Sequence, residues 1–246
     1  MKTVIANWKS NPNSLREAAR LAKSIEKHAS LNRKAEVVIA PPFIYLSDVK
    51  KEVSTAKLGA QDVFGNEGGA YTGAINLAQL KNTGVKYVII GHSERRRYFG
   101  ETDEFINKKV TAALAYGFKI VLCVGNKEKM SDPSNFVNKQ LTADLKGVSS
   151  KDKIRNLIVA YEPIWAIGTG NADNPQSAAE VSLRIKEHIN KLMGVGKIKV
   201  LYGGSVTDKN IRSFISRNKI DGVLVGGASL NPSMFGRIIK AANELG

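Results

Sequence analysis

Lys199-Val200-Leu201-Tyr202-Gly203-Gly204-Ser205 is a short apolar run that stops at two glycines and a serine. Further on, Gly222-Val223-Leu224-Val225-Gly226-Gly227-Ala228-Ser229 repeats the arrangement. Short β-branched runs bounded by glycine read as buried strands. Each glycine-led turn then enters a helical segment, where bare backbone N–H groups and the helix dipole present donors to an anion. Alone, either turn could be no more than a tight bend. Their position in the chain decides more. A dinucleotide-binding open sheet carries its glycine-rich turn after the first strand, but here that strand ends Asn7-Trp8-Lys9-Ser10-Asn11-Pro12, with no GxGxxG. Late phosphate-type loops are a feature of closed β/α barrels.

Working outward from these loops, the same kind of strand recurs at Thr3–Asn7, Glu36–Ala40, Lys57–Gln61, Tyr87–Gly91, Lys119–Val124 and Leu157–Tyr161. The runs are near-continuously apolar, as expected of parallel strands covered on both faces. Between most of them lie amphipathic stretches of helical length: Ser14–His28, Glu104–Tyr116, Asn135–Lys146, Pro175–Met193, Asp208–Arg217 and Pro232–Leu245. Ser14 with Glu17 three residues on resembles a capping box, and Pro232 suits a first helical position. Eight strands alternating with helices admit a closed eightfold barrel or a doubly wound open sheet. The late loops favour the barrel, and 246 residues suit its usual length of about 250. No linker or composition break divides the chain, so one α/β domain over residues 1–246 is expected.

Composition narrows the function classes. Hydrophobic residues make up 43% and charged residues 24%, a soluble globular balance. No apolar run reaches the ~18 residues of a spanning helix, and the start runs straight into a strand without a signal-peptide pattern. The single cysteine, Cys123, has no internal disulfide partner and fits a reducing cytoplasm. It lies within an apolar strand, where a small packed residue is the expected reading. The net charge of +15 raises nucleic-acid or membrane binding. Against that, the basic residues are spread along helix-like segments, such as Lys23, Lys27, Lys50, Lys51, Lys186 and Lys191, without interleaved aromatics. The dense run Arg95-Arg96-Arg97, followed by Tyr98-Phe99, is expected to be partly packed or paired. A solvated basic surface, with no nucleic acid and no membrane as partner, is the expectation. There is no HExxH, no paired-cysteine spacing and no Walker loop. The chemistry is therefore expected to need neither metal nor cofactor.

In a barrel the strand ends converge on one mouth. They bring there Asn7 and Lys9 after the first strand, His92 after the fourth and Glu162 after the sixth. Gly203-Gly204-Ser205 and Gly226-Gly227 follow the last two. A carboxylate, an imidazole, an ammonium and two stretches of bare backbone suit proton transfer beside the carbonyl of a phosphorylated substrate. Singly, Glu162 could cap a strand end, His92 could be a structural histidine and Lys9 a surface charge. His28 and His188 lie away from the mouth and receive no role. Glu162 also opens Pro163-Ile164-Trp165-Ala166-Ile167-Gly168-Thr169-Gly170, an apolar loop between a proline and two glycines, which reads as a lid that excludes water.

Asn7-Trp8-Lys9, Gly91-His92-Ser93-Glu94-Arg95-Arg96, Ala160 through Gly170, Tyr202-Gly203-Gly204-Ser205-Val206 and Val225 through Leu230 closely resemble the signatures of the triosephosphate isomerase family, in order and spacing. The resemblance implies a (β/α)8 TIM barrel and a homodimer. It implies interconversion of dihydroxyacetone phosphate and D-glyceraldehyde 3-phosphate, in glycolysis and gluconeogenesis, through an enediolate. By resemblance, Glu162 is the base, His92 a neutral electrophile, and Lys9 an electrostatic stabiliser that contacts the phosphate. The base with a neutral histidine is a general scheme already described for this enzyme. Asn7 orients substrate, and backbone N–H groups of Gly168, Ser205, Gly226 and Gly227 hold the phosphate under a lid over 163–171. Glu94 matches the partner of the active-site lysine. A possible helical turn over Ser93–Arg97 would disfavour the His92 imidazolium.

Several positions depart from the family pattern. Asp62 stands where asparagine is common, Ser10 where a larger apolar residue is frequent, and Ala74 where a glutamate usually pairs with the arginine matching Arg95. These three bear on dimer strength, and the last leaves Arg95 without its usual partner. Asn126 and Asn171 replace a frequent glutamate and a frequent lysine near the lid. Thr72 and its glycine-rich neighbours keep the dimer as the expectation.

Overall fold

A computed structural model describes residues 1–65, 68–148, 154–166, 172–216 and 219–246. Eight parallel strands close into a barrel in chain order. They are β1 (Lys2–Asn7), β2 (Ala35–Ala40), β3 (Lys57–Ala60), β4 (Tyr87–Ile90), β5 (Lys119–Val124), β6 (Leu157–Tyr161), β7 (Lys199–Tyr202) and β8 (Gly222–Val225). The open-sheet alternative is thereby excluded. Closure depends on β8 lying against β1, with Thr3 opposite Gly222. A Cβ at Gly222 would fall 1.8 Å from the Thr3 carbonyl oxygen, so only glycine allows that approach.

Alternation along each strand divides the core in two. Ile5, Val38, Tyr87, Ile89, Val121, Cys123, Ile158, Leu201 and Leu224 form a buried cluster inside the barrel. Their neighbours, such as Val4, Val37, Val88, Ile120, Val159 and Val200, pack outward against the helices. Both faces are buried, which is why the strands read as continuous apolar runs. Cys123 is fully buried, and burial pushes its thiol well above the ordinary range. It is a packed residue and not a reactive one.

Among the described residues the helices are α1 (Leu15–Leu31), α2 (Leu46–Glu52), α3 (Leu77–Asn82), α4 (Ser93–Tyr98), α5 (Asp103–Ala115), α6 (Ser134–Asp144), α7 (Pro175–Met193), α8 (Ile211–Ile215) and α9 (Pro232–Glu244). Ser14 caps α1 by accepting from the Glu17 N–H at 3.3 Å. The reciprocal box sits at α3, where Asn76 and Gln79 each accept from the other's backbone. α7 begins on Pro175 behind the Asn174 cap and ends at Gly194 in the left-handed region, φ 64°. α8 is shorter than the sequence pattern over Asp208–Arg217 predicts, and Arg217 lies outside the described residues. The Asn210 side chain accepts from Thr207 N–H at 2.8 Å and favours a turn before the helix starts. His28 packs against Gly236, where a Cβ would meet its ring at 2.4 Å, and His188 contacts the Thr142 hydroxyl. Among the described residues, no helix is long and apolar enough to cross a membrane.

Candidate active site

The C-terminal strand ends surround a cavity of about 400 Å³. Asn7, Lys9, His92, Glu162, Ser205, Gly226 and Gly227 all line it. Of the residues expected at the site, Gly168 lies outside the described residues, as does most of the expected lid.

Lys9 reaches the cavity from an unusual backbone. Its φ is +54°, a left-handed conformation uncommon outside glycine. Hydrogen bonds on both sides hold it there. Its N–H donates to Asn7 Oδ1 at 3.1 Å, and its carbonyl accepts from Gln61 Nε2 at 2.8 Å. Gln61 Nε2 also donates to the Ala40 carbonyl at 2.9 Å, tying the ends of β1, β2 and β3 together. The Lys9 ammonium lies 2.5 Å from Glu94 Oε1. A Cβ on Gly226 would come within 3.2 Å of the lysine stem, so the bare loop after β8 leaves that side chain its path.

His92 is the N-cap of α4. Its Nδ1 accepts from the Glu94 N–H at 3.2 Å, and its Nε2 lies 3.0 Å from Glu162 Oε1. The other Glu162 oxygen accepts from the Ser93 N–H at 2.9 Å. One short helix start therefore positions the imidazole and parks the carboxylate. Glu162 is 2% exposed and His92 6%. Both are thus coupled and nearly out of water. Burial alone would raise the Glu162 pKa, but the facing His92, the Ser93 N–H and Lys9 together bring it below the ordinary value. It is a carboxylate at neutral pH.

The influences on His92 pull in opposite senses. Burial disfavours the imidazolium, while the Glu162 charge favours it and prevails, so the pKa is raised. The Nδ1 lone pair, however, is used to accept the Glu94 N–H, which requires a ring carrying its proton on Nε2 alone. The cap geometry selects the neutral Nε2–H tautomer, and most of the upward shift comes from Glu162, with a smaller contribution from the Glu94 carboxylate 3.7 Å from Nδ1.

Opposite this pair lies the bare backbone. Gly227–Leu230 forms a single 3-10 turn, and the Ser229 hydroxyl closes it onto the Gly226 carbonyl at 2.6 Å. Asn210 Nδ2 donates to the Ser205 carbonyl at 3.1 Å, fixing the loop after β7. A Cβ on Gly227 would meet nothing within 4 Å. The chain's own packing therefore does not account for glycine there, and the space is open to a ligand. At Gly125 the requirement is internal: a Cβ would fall 1.7 Å from the Glu162 carbonyl oxygen. The ends of β5 and β6 approach so closely that the base rests against bare backbone.

Arg95 is not left unpaired. Its guanidinium contacts Glu101 at 2.5 Å and Asp62 at 2.9 Å. Lys109, 1% exposed, joins the same two carboxylates at 2.6 and 2.8 Å. Asp62, the departure from the family's asparagine, supplies a carboxylate within the chain. Arg96 pairs with Asp103 and, at 2.7 Å, with Asp144, whose pKa burial pushes up to about 7. The arginine run is thus paired as expected, except that Arg97 lies over the exposed Tyr98 ring. Gln61, Glu101 and Lys109 escaped the sequence reading. An acid at position 62 and a lysine on the buried face of α5 were the available signals.

The chain matches the family profile described as triosephosphate isomerase over residues 2–242. It belongs to the triosephosphate isomerase family. Curated relatives carry the same name. The triosephosphate isomerase of Thermoanaerobacter pseudethanolicus is 45% identical over 96% of this chain and 98% of its own. That of Dictyoglomus thermophilum is 41% identical over 98% and 99%. That of Aquifex aeolicus is 39% identical over 97% and 98%. The cavity therefore belongs to a triosephosphate isomerase barrel. The chain is an enzyme of that family, an isomerase acting on a phosphorylated triose.

Proposed function

We propose that Glu162 takes the proton from C1 of dihydroxyacetone phosphate and returns it to C2, while His92 moves the hydroxyl proton from one oxygen to the other. The observation that carries this reading is the 3.0 Å contact between Glu162 and His92, both buried on the wall of one cavity with Lys9. Substrate entering between them separates the carboxylate from its stabilising partners. Burial, the largest single influence on Glu162, is then less opposed, and the carboxylate becomes a stronger base. His92 loses the larger of the charges that favoured its imidazolium, and the Glu94 backbone N–H, bound to Nδ1, favours the neutral ring. A neutral Nε2–H donates to the carbonyl oxygen as it gains charge, takes the neighbouring hydroxyl proton, and is regenerated. Lys9 stabilises the enediolate and reaches the phosphate, Asn7 orients the substrate, and the N–H groups of Ser205, Gly226 and Gly227 face the phosphate. Gly168 is proposed to join them from a lid over 163–171, where water exclusion protects the enediolate from phosphate elimination.

A coupled assay with glyceraldehyde 3-phosphate tests the reading, and the His92→Gln enzyme is its informative variant. Its kcat is expected to fall by roughly 10²-fold with the melting temperature nearly kept. An unchanged kcat returns His92 to a purely structural role.

We further propose a homodimer acting in the cytoplasm. The 68–73 loop is exposed, and Tyr71, Tyr98 and Phe99 present large apolar side chains to solvent at 47%, 67% and 68% exposure. Covering such surface favours association. Light scattering across protein concentration decides; the mass of one chain throughout overturns the dimer. The single buried cysteine fits a reducing compartment.

A further inference from the structure

The end of the barrel opposite the mouth carries a second concentration of charge. Lys2, Lys57, Lys119 and Lys199 open β1, β3, β5 and β7, and Lys86 directly precedes β4. Parallel strands put all of these first residues at one rim. A cavity of about 510 Å³ opens there, within the size range of small-molecule sites. It shares no lining residue with the mouth cavity. The inner core, including Ile5, Val121, Leu201 and Leu224, fills the barrel between the two ends.

Lys119, Arg155, Lys186, Lys197 and Lys199 line this cavity against the carboxylates of Glu36 and Asp221. Glu36 is shared by Lys119 at 3.1 Å and Lys199 at 3.5 Å, and Asp221 holds Lys186 at 2.7 Å. Both carboxylates are thus engaged. Among the described residues, Arg155 and Lys197 have no ion-pair partner. Positive charge is crowded enough to be felt by a neighbour. Burial lowers the Lys2 pKa, Asp221 opposes the shift, and Lys186 adds to it.

A concave, cation-rich wall, with Arg155 and Lys197 unengaged among the described residues, calls for an anion with several adjacent charges. A single phosphate would leave much of the wall unanswered. A duplex would need an open basic track instead of a pocket. We propose that this basal cavity binds a polyphosphate chain, either free or as the tail of a nucleoside triphosphate. Arg155 contributes a planar guanidinium suited to two-pronged phosphate contact, and the lysines act as point charges.

Calorimetric titration at about 0.15 M salt, near the physiological ionic strength, tests this, with the mouth kept saturated by dihydroxyacetone phosphate. Tripolyphosphate and ATP are the probes. Saturable one-to-one binding is expected, weakened at least tenfold in the Arg155→Ala/Lys197→Ala double variant. That variant removes no partner from a described carboxylate, so its melting temperature without ligand and its isomerase activity should match the parent. Equal affinity for the two probes assigns recognition to the phosphates alone, and tighter ATP binding adds the nucleoside. Three results would overturn the proposal: no saturable binding with the mouth filled, binding unaltered in the double variant, or a DNA duplex that binds more tightly than ATP in the same salt.

Discussion

The Glu162→Gln enzyme is expected to lose about 10³-fold in kcat, the scale of a positioned general base, and to stay folded. Glutamine has nearly the shape of glutamate, and its amide oxygen can still accept the Ser93 N–H now bound at 2.9 Å. What it lacks is the ability to hold a proton taken from carbon. The amide NH₂ would also face His92 Nε2, which carries its proton on that atom, so the resting contact at 3.0 Å is lost. The coupled assay reads the rate and a thermal melt reads the fold. Turnover within tenfold of the parent would sink the base assignment.

Lys9→Met comes next in size. Methionine keeps most of the stem that passes Gly226 and deletes the charge. Removing one preorganised stabiliser of a developing oxyanion costs about 10² to 10³ in rate, and loss of a phosphate contact should raise KM as well. Stability should change little. The Lys9–Glu94 pair is partly exposed, at 29% and 39%, and such pairs contribute no more than about 1 kcal/mol. The backbone that presents position 9 is held by Gln61 and Asn7 and does not need the ammonium. An unchanged kcat/KM would reduce Lys9 to a surface charge.

The strands and the mouth were legible because each carries a local signal. A strand buried on both faces must be apolar throughout, and the strand ends follow at once. Lys9, His92, Glu162, Ser205 and the paired glycines could therefore be placed before any coordinates. The short helices α2 and α3 were not legible. Six or seven residues span fewer than two turns, too few to establish a period. α4 was visible only as a possible turn. The cluster of Asp62, Arg95, Glu101 and Lys109 was also hidden, because four charges scattered over forty-eight positions meet only when β3, α4 and α5 are packed side by side. The sequence pattern suggested a missing partner for Arg95. The fold supplies two carboxylates from the same chain, so dimerisation is not needed to neutralise that arginine. The basic rim is hidden in the sequence for a similar reason. Lysines that open alternate strands look dispersed along the chain and become neighbours only once the barrel closes.

His92 performs two jobs with one ring. As the cap of α4 it must keep a lone pair on Nδ1 for the Glu94 N–H. As a proton carrier it must stay uncharged between turnovers. A second proton would satisfy neither requirement, since it would occupy that lone pair and unfasten the first turn of the helix. That turn also carries Ser93, which holds the resting base, and Arg95 and Arg96, which anchor two buried acid clusters. The protonation state that chemistry requires is therefore also the one that keeps the scaffold intact. Acid strong enough to charge this ring would remove the electrophile and loosen the turn that holds the resting base in the same step.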